Sequence, residues 1–327
     1  MSTIVNRIRS VAMVGAGGNS GRHMAEALLA TGKHTITAIT RPGSQSVIPT
    51  GVRSAVVGSD EKNALVAALR GHDAFIITLP GNAGSDVHRS LVEAAATAGV
   101  SWILPNEWGV DTTDEVDPGL LQDLPAWRQQ QAHREHIRSL GASYVGISTG
   151  FWYEWSLSSP IRFGFDFTQK KATFYDNGET KMSLSTWPQV GRAVASLLSL
   201  PISSEDGPCL NDFRNKQIYV NSFTVTQKDM LDSILRVTGD KADSWVTENV
   251  PSSEMFRLGG DILKTGSRSG FIIQGYSRMF YPEREVGNTE KTHGLVNDAL
   301  GLNQESIDDA TRAAIELVKK LDNGARP

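Results

Sequence analysis

Val11-Ala-Met-Val-Gly-Ala-Gly-Gly-Asn-Ser-Gly21 is the stretch that decides the fold. A short apolar run at 11–14 leads straight into glycines. The next ten residues, 22–31, are rich in helix formers and are followed by Gly32, where a helix C-cap glycine belongs. A strand, a glycine turn and a helix in that order form the opening unit of an α/β domain. The chain outside it repeats the alternation. Residues 35–40 read as a β-branched strand, 52–57 as a third strand, 62–69 as a helix and 73–78 as a fourth strand. Residues 87–98 read as a helix, 101–104 as a fifth strand, 132–140 as a helix and 144–148 as a sixth strand. Such alternation with short connections implies a doubly wound parallel sheet with helices on both faces, a Rossmann-type α/β fold.

The glycines have separate tasks. Gly15 permits the tight turn out of the strand. Gly17 or Gly18 lets backbone approach a pyrophosphate, and Gly21 lets the helix pack closely. Asn19 and Ser20 complete the turn at the helix N-terminus, whose unpaired N–H groups and partial positive charge suit phosphate. A strict G-x-G-x-x-G would need glycine at Ser20; the spacing fits G-x-x-G-x-x-G at 15, 18 and 21. The same turn can also be a plain strand–helix connection, but its place in a βαβ pattern points to a dinucleotide. An NAD site usually carries an acid at the end of the second strand. Thr37-Ala-Ile-Thr40 has none, and Arg41 follows. A guanidinium there can grip a 2′-phosphate, with Ser44 and Arg22 assisting, which favours NADP(H); otherwise Arg41 is an ordinary loop residue. Topology adds the carboxyl ends of the other strands: Thr78, Leu79 and Pro80 near the adenine side or diphosphate, and Pro105, Asn106 and Glu107 near the nicotinamide. Gly150, Phe151 and Trp152 lie beside them.

After Gly150 the pattern becomes irregular. The expected division is a nucleotide-binding domain over 1–155 and a substrate lobe over 156–327, with about 186–222 packing back on the sheet. The aromatic cluster Phe151, Trp152, Tyr153 and Trp155 serves either as lobe core or, for Trp152, Tyr153 and Trp155, as pocket lining. Strands are expected at 171–175 and 216–220, helices at 188–200 and 306–321, and a helix start at Thr224-Val-Thr-Gln-Lys228.

Bulk properties exclude several classes. The 327 residues are 39% hydrophobic and 21% charged, with a formal net charge of −4, so no positive field points to nucleic acid. Cys209 is the lone cysteine and cannot form an internal disulfide, which argues for a reducing compartment. No Cys/His spacing resembles a metal site. Residues 1–10 lack the apolar core of a signal peptide, and the apolar runs are too short to span a bilayer. The reading is a cytoplasmic protein with a small-molecule partner, no membrane or nucleic acid, and a homodimer left open.

Several collinear segments resemble the NmrA-like group of atypical short-chain dehydrogenases, especially its isoflavone reductase-like members. They are Val14-Gly-Ala-Gly-Gly-Asn-Ser-Gly21, the Arg41 loop, Leu104-Pro-Asn-Glu-Trp-Gly109, Ser148-Thr-Gly-Phe-Trp-Tyr153 and Val190-Gly-Arg-Ala-Val194. Pro-Asn-Glu-Trp-Gly, similar to the family's Pro-Ser-Glu-Phe-Gly, is the specific part. The resemblance implies a Rossmann domain with a small C-terminal lobe, a cleft for NADPH and an aromatic or phenolic substrate, and reduction by hydride transfer; the leading reading is an NADPH-dependent reductase of a small aromatic, phenolic or polyketide-like substrate. It also implies a lysine acting as general acid or base, whose place here is held by Gln130. A glutamine exchanges no proton near neutral pH. His133, one helical turn on, could take over that work or be a surface or capping histidine. Tyr153 or Glu107 could instead hydrogen-bond the substrate. The remaining alternatives are a sensor that binds NADP(H) without turnover, or a non-redox enzyme that keeps the cofactor fold. The Tyr-x-x-x-Lys pair of ordinary short-chain dehydrogenases is absent.

Overall fold

The computed structural model describes residues 6–58, 61–81, 83–113 and 115–323. Its first half runs β1 (Ser10–Val14), α1 (Asn19–Ala30), β2 (Thr35–Thr40), β3 (Arg53–Val56), α2 (Lys62–Leu69), β4 (Ala74–Ile77), α3 (Ser85–Thr97) and β5 (Trp102–Leu104). Then come α4 (Leu120–Asp123), α5 (Arg128–Ser139) and β6 (Ser143–Ser148). The second half begins with β7 (Phe151–Trp152), α6 (Tyr153–Leu157), α7 (Pro160–Phe163), β8 (Phe165–Asp166), β9 (Lys171–Tyr175), β10 (Met182–Ser185) and α8 (Trp187–Ser199). It continues through β11 (Lys216–Tyr219), β12 (Phe223–Val225), α9 (Gln227–Thr238) and β13 (Val246–Val250). It closes with α10 (Ser252–Lys264), α11 (Ser269–Met279), α12 (Thr289–Thr292) and α13 (Ile307–Asp322).

Seven strands form one parallel sheet in the order β3-β2-β1-β4-β5-β6-β11. Strands β1 and β4 are side by side although far apart in the chain, so the order reverses there and a crevice opens beyond their carboxyl ends. A strand buried on both faces needs apolar side chains at successive positions, and β1 supplies them. Val11 and Met13 join Met24, Ala25 and Leu28 of α1 and Val190, Val194 and Leu197 of α8 on one face. Ala12 joins Leu65 of α2, Leu91 and Val92 of α3 and Ile137 of α5 on the other.

The chain leaves this sheet after Ser148, and Phe151 and Trp152 pair with Leu184 and Ser185 of β10. Two three-stranded sheets, β12-β10-β7 and β13-β9-β8, form the lobe. Its separate core includes Tyr153, Phe163, Tyr175, Met230 and Phe280. Between them in the chain, α8 and β11 return to the half built on the seven-stranded sheet. A Cβ at Gly191 of α8 would lie 2.4 Å from the His23 carbonyl oxygen of α1, so glycine is what lets these helices touch. Helix α9 is capped by Thr226 through a reciprocal pair with Asp229, while Thr224 lies in β12. The N-cap is therefore the second threonine of Thr224-Val-Thr, and the helix starts at Gln227.

Candidate functional site

The glycine turn is built as its spacing demands. Gly15 has φ +82°, and a Cβ there would sit 2.0 Å from the Thr78 carbonyl oxygen. Thr78 donates from both its backbone N and its Oγ1 to the Val14 carbonyl, at 3.0 and 2.9 Å, which ties the end of β4 to the end of β1. A Cβ at Gly21 would meet the Gly15 carbonyl oxygen at 2.1 Å. Gly18 donates to Gly15 O at 2.9 Å and is the N-cap of α1, with no capping side chain and no acid in the first turn. That leaves an open, positive helix end of the kind that receives phosphate. Asn19 is half-buried and Ser20 buried in the same turn. The loop after β2, which begins with exposed Arg41, folds back onto the turn: a Cβ at Gly17 would lie 2.8 Å from the Val47 carbonyl oxygen. Arg41 and the glycines thus belong to one corner of the molecule.

The segment Pro105-Asn-Glu-Trp-Gly109 fastens the neighbouring strand ends together. Asn106 accepts from Leu79 N at 2.9 Å and donates to Leu79 O at 3.2 Å, while Trp108 Nε1 donates to Ile77 O at 2.8 Å. The Asn106 amide is therefore engaged with the Leu79–Pro80 backbone, an alignment role that residue type alone did not disclose. Glu107 is enclosed. Its Oε2 accepts from Arg134 Nη1 at 3.2 Å, and the same nitrogen donates to Gln217 at 2.9 Å. Burial pushes its carboxyl up to about 7 against the pull of Arg134. A Cβ at Gly146 would lie 1.9 Å from Gln217 Oε1, so glycine there leaves room for the Gln217 side chain as it stands. Nearby, buried Asp111 accepts from His293 Nε2 at 3.1 Å and Tyr219 Oη at 3.3 Å. A cavity of about 720 Å³ beside the edge strand β11 is lined by Arg134, Gln217, Tyr219 and His293. No sequence pattern announced this group, because its members come from five separate segments.

Gln130 opens toward the same loop and accepts from Thr112 Oγ1 at 2.6 Å. His133 does not share that direction. It stacks on His88 of α3 with ring centroids 3.8 Å apart, and both its ring nitrogens are buried without a partner. Burial depresses the two imidazoles, to about 4 for His133 and about 3 for His88. Tyr153 is wholly enclosed in the lobe core, its hydroxyl 2.8 Å from Thr311 Oγ1, which keeps it away from any surface a substrate could reach. Trp155 packs under the Arg162 guanidinium at 3.9 Å. Phe151 stacks on Tyr276 of α11 at 3.8 Å, and Gly150 at φ +63° passes so close to Ser183 that a Cβ would be 1.9 Å from its carbonyl oxygen. Trp152 is only partly buried and faces Trp187, with ring centroids 6.1 Å apart. Gly146-Ile-Ser-Thr-Gly150 spells a G-x-S-x-G pattern, yet Ser148 ends β6 and donates to Gly109 O at 3.0 Å, so it forms no exposed nucleophile turn. Among the described residues, no group of three or more His, Cys, Asp or Glu is placed to hold a metal ion, and no helix is long and apolar enough to cross a membrane.

A parallel sheet reversing at β1/β4, a glycine turn at its carboxyl edge and a separate lobe beyond it define a Rossmann-type fold with an appended lobe. The chain belongs to the NmrA-like family, whose model matches residues 8–199. It is 27% identical over 264 residues to "Oxidoreductase aprR" of Aspergillus flavus, covering 80% of this chain and 83% of that one. Its fold matches a crystal structure from work on pinoresinol-lariciresinol and phenylcoumaran benzylic ether reductases, with TM-score 0.73 at 19% identity over 93% of this chain and 97% of that one. It also matches the binary complex of leucoanthocyanidin reductase with NADPH from Vitis vinifera, with TM-score 0.70 at 15% identity over 94% of this chain and 99% of that one.

Proposed function

We propose that this protein is an NADPH-dependent reductase of a small aromatic, phenolic or polyketide-like molecule. The observation that carries the reading is the corner where the uncapped N-terminus of α1, the glycines that admit no Cβ and the Arg41 loop meet. These residues fit a dinucleotide: Gly15, Gly17, Gly18, Asn19, Ser20 and Gly21 would take the diphosphate, and Arg41 the 2′-phosphate. Relatives named as oxidoreductases, and a similar fold carrying NADPH, support it.

NADPH supplies a hydride when bound. The chain's own residues orient and desolvate. Thr78 and Asn106 hold the ends of β4 and β5, and Gly150 and Phe151 border the next strand end. Gln130, with its Oε1 held by Thr112, has its Nε2 amide to donate to a substrate oxygen, while the proton that completes reduction comes from water. A second reading, an NADP(H)-sensing protein without turnover, is favoured by the same Gln130, since no lysine stands at that place to exchange a proton. Mixing the protein with NADPH and a panel of phenolic and enone compounds separates the two. Substrate-dependent loss of the reduced-nicotinamide absorbance supports the reductase, and tight binding with no loss across the panel supports the sensor.

A further inference from the structure

Among the described residues, two neighbouring side chains each carry a buried donor without a partner: the indole Nε1 atoms of Trp152 and Trp187, whose ring centroids are 6.1 Å apart. An enclosed N–H with no acceptor is a destabilising group that folded proteins rarely keep without a use. The fold puts this pair beside the glycine turn. Trp152 pairs with Ser185, two residues before Trp187, and follows β6 at the carboxyl edge of the parallel sheet. Helix α8 starts at Trp187 and runs parallel to α1. Gly191, four residues in, meets His23, which is likewise four residues into α1, while at the far ends Ser199 Oγ lies 3.0 Å from His34 Nε2. Trp187 therefore stands level with the first turn of α1, and its ring lies 6.5 Å from that of His23. Glu154 fixes it from behind by accepting from Trp187 N at 3.3 Å. Both rings are only partly buried.

We infer that Trp152 and Trp187 form the wall of the cleft at the nicotinamide end, where their indole N–H groups donate to acceptor oxygens of the nicotinamide-ribose half of NADP(H). The assignment rests on the NADP(H) reading above but not on turnover. Two donors on two elements, joined by the β7–β10 pairing, suit an oxygen-rich, planar group that also stacks on indole.

The test is binding. Full-length protein, Trp152→Phe and Trp187→Phe are titrated with NADPH, reading energy transfer from tryptophan to the bound nicotinamide, and with adenosine 2′,5′-bisphosphate, reading heat. Phenylalanine keeps a ring and removes only the donor and its bulk. Each substitution is expected to weaken NADPH about tenfold and to reduce the transferred emission, with the bisphosphate bound as by the unaltered protein. Unchanged NADPH affinity overturns the assignment, and so does an equal loss for both ligands, which marks a purely structural role. Unchanged NADPH binding with a raised KM for a substrate also overturns it, by giving the indoles to the substrate. If the unaltered protein binds the bisphosphate but not NADPH, the cofactor reading itself fails, independently of the two indoles.

Discussion

Asn106 holds the backbone of Leu79 at both of its polar atoms, accepting from its N–H at 2.9 Å and donating to its C=O at 3.2 Å. One side chain thereby replaces the ladder contacts that β5, only three residues long, stops providing at the carboxyl edge. The loop that follows β4 owes its position to this clamp.

Replacing Asn106 with Ala removes both hydrogen bonds while β5 and its neighbours stay paired. A loss of about 1–2 kcal/mol of stability is expected from two net hydrogen bonds. NADPH affinity should fall by about tenfold, because the β4 loop loses its position. Denaturant titration and calorimetry check the two effects, and a variant with unaltered cofactor affinity would show that the clamp serves the fold alone.

Glu154 gives a pH signature. Burial raises its carboxyl to about 7, well above the ordinary value near 4.5. Between those values the unfolded chain releases the proton while the folded one keeps it, so the contribution of this group to stability falls as pH rises from about 4.5 to 7. Glu154→Gln mimics the protonated form. The stability of the unaltered protein relative to this variant should therefore decline across that window in urea titrations, and a difference that is flat with pH would contradict the assignment.

Tyr153 and His133 should separate from the chemistry. Tyr153→Phe removes one hydroxyl bond to Thr311, which keeps its contact with Ser233 at 2.8 Å. About 1 kcal/mol of stability is expected to be lost, with kcat unchanged. His133→Ala removes a ring stacked between α3 and α5, so turnover should likewise be retained. A large fall in kcat at constant KM in either variant would return that residue to the reaction.

The sheet was legible because it is written in local signals. Apolar runs such as Ala74-Phe-Ile-Ile77 give parallel strands, and the glycines at 15, 18 and 21 admit one kind of turn. The lobe was not. Strands β7 and β8 have two residues each, and β12 has three, too short for any periodicity to appear. The helix pair α10 and α11 touches through Gly259 and Gly270, where a Cβ at Gly270 would meet the Gly259 carbonyl oxygen at 2.3 Å; glycines inside helices read locally as breaks. At the site, spacing along α5 put His133 on the face of Gln130, but that face is wide enough for one side chain to turn to α3 and the other to Thr112. The Glu107–Arg134–Gln217 group and the Trp152–Trp187 pair join residues distant in the chain, and only the tertiary structure brings them together.

On the reading proposed above, the glycine turn and Arg41 together make an NADP(H) site. The most direct measurement is calorimetric titration of the unaltered protein and of Arg41→Ala with NADPH and with NADH. NADPH is expected to bind the unaltered protein more tightly than NADH, and Arg41→Ala to weaken NADPH by at least tenfold while NADH changes little, since a charge-assisted contact to the 2′-phosphate is worth more than an ordinary hydrogen bond. Equal losses for both cofactors, or none, would contradict it.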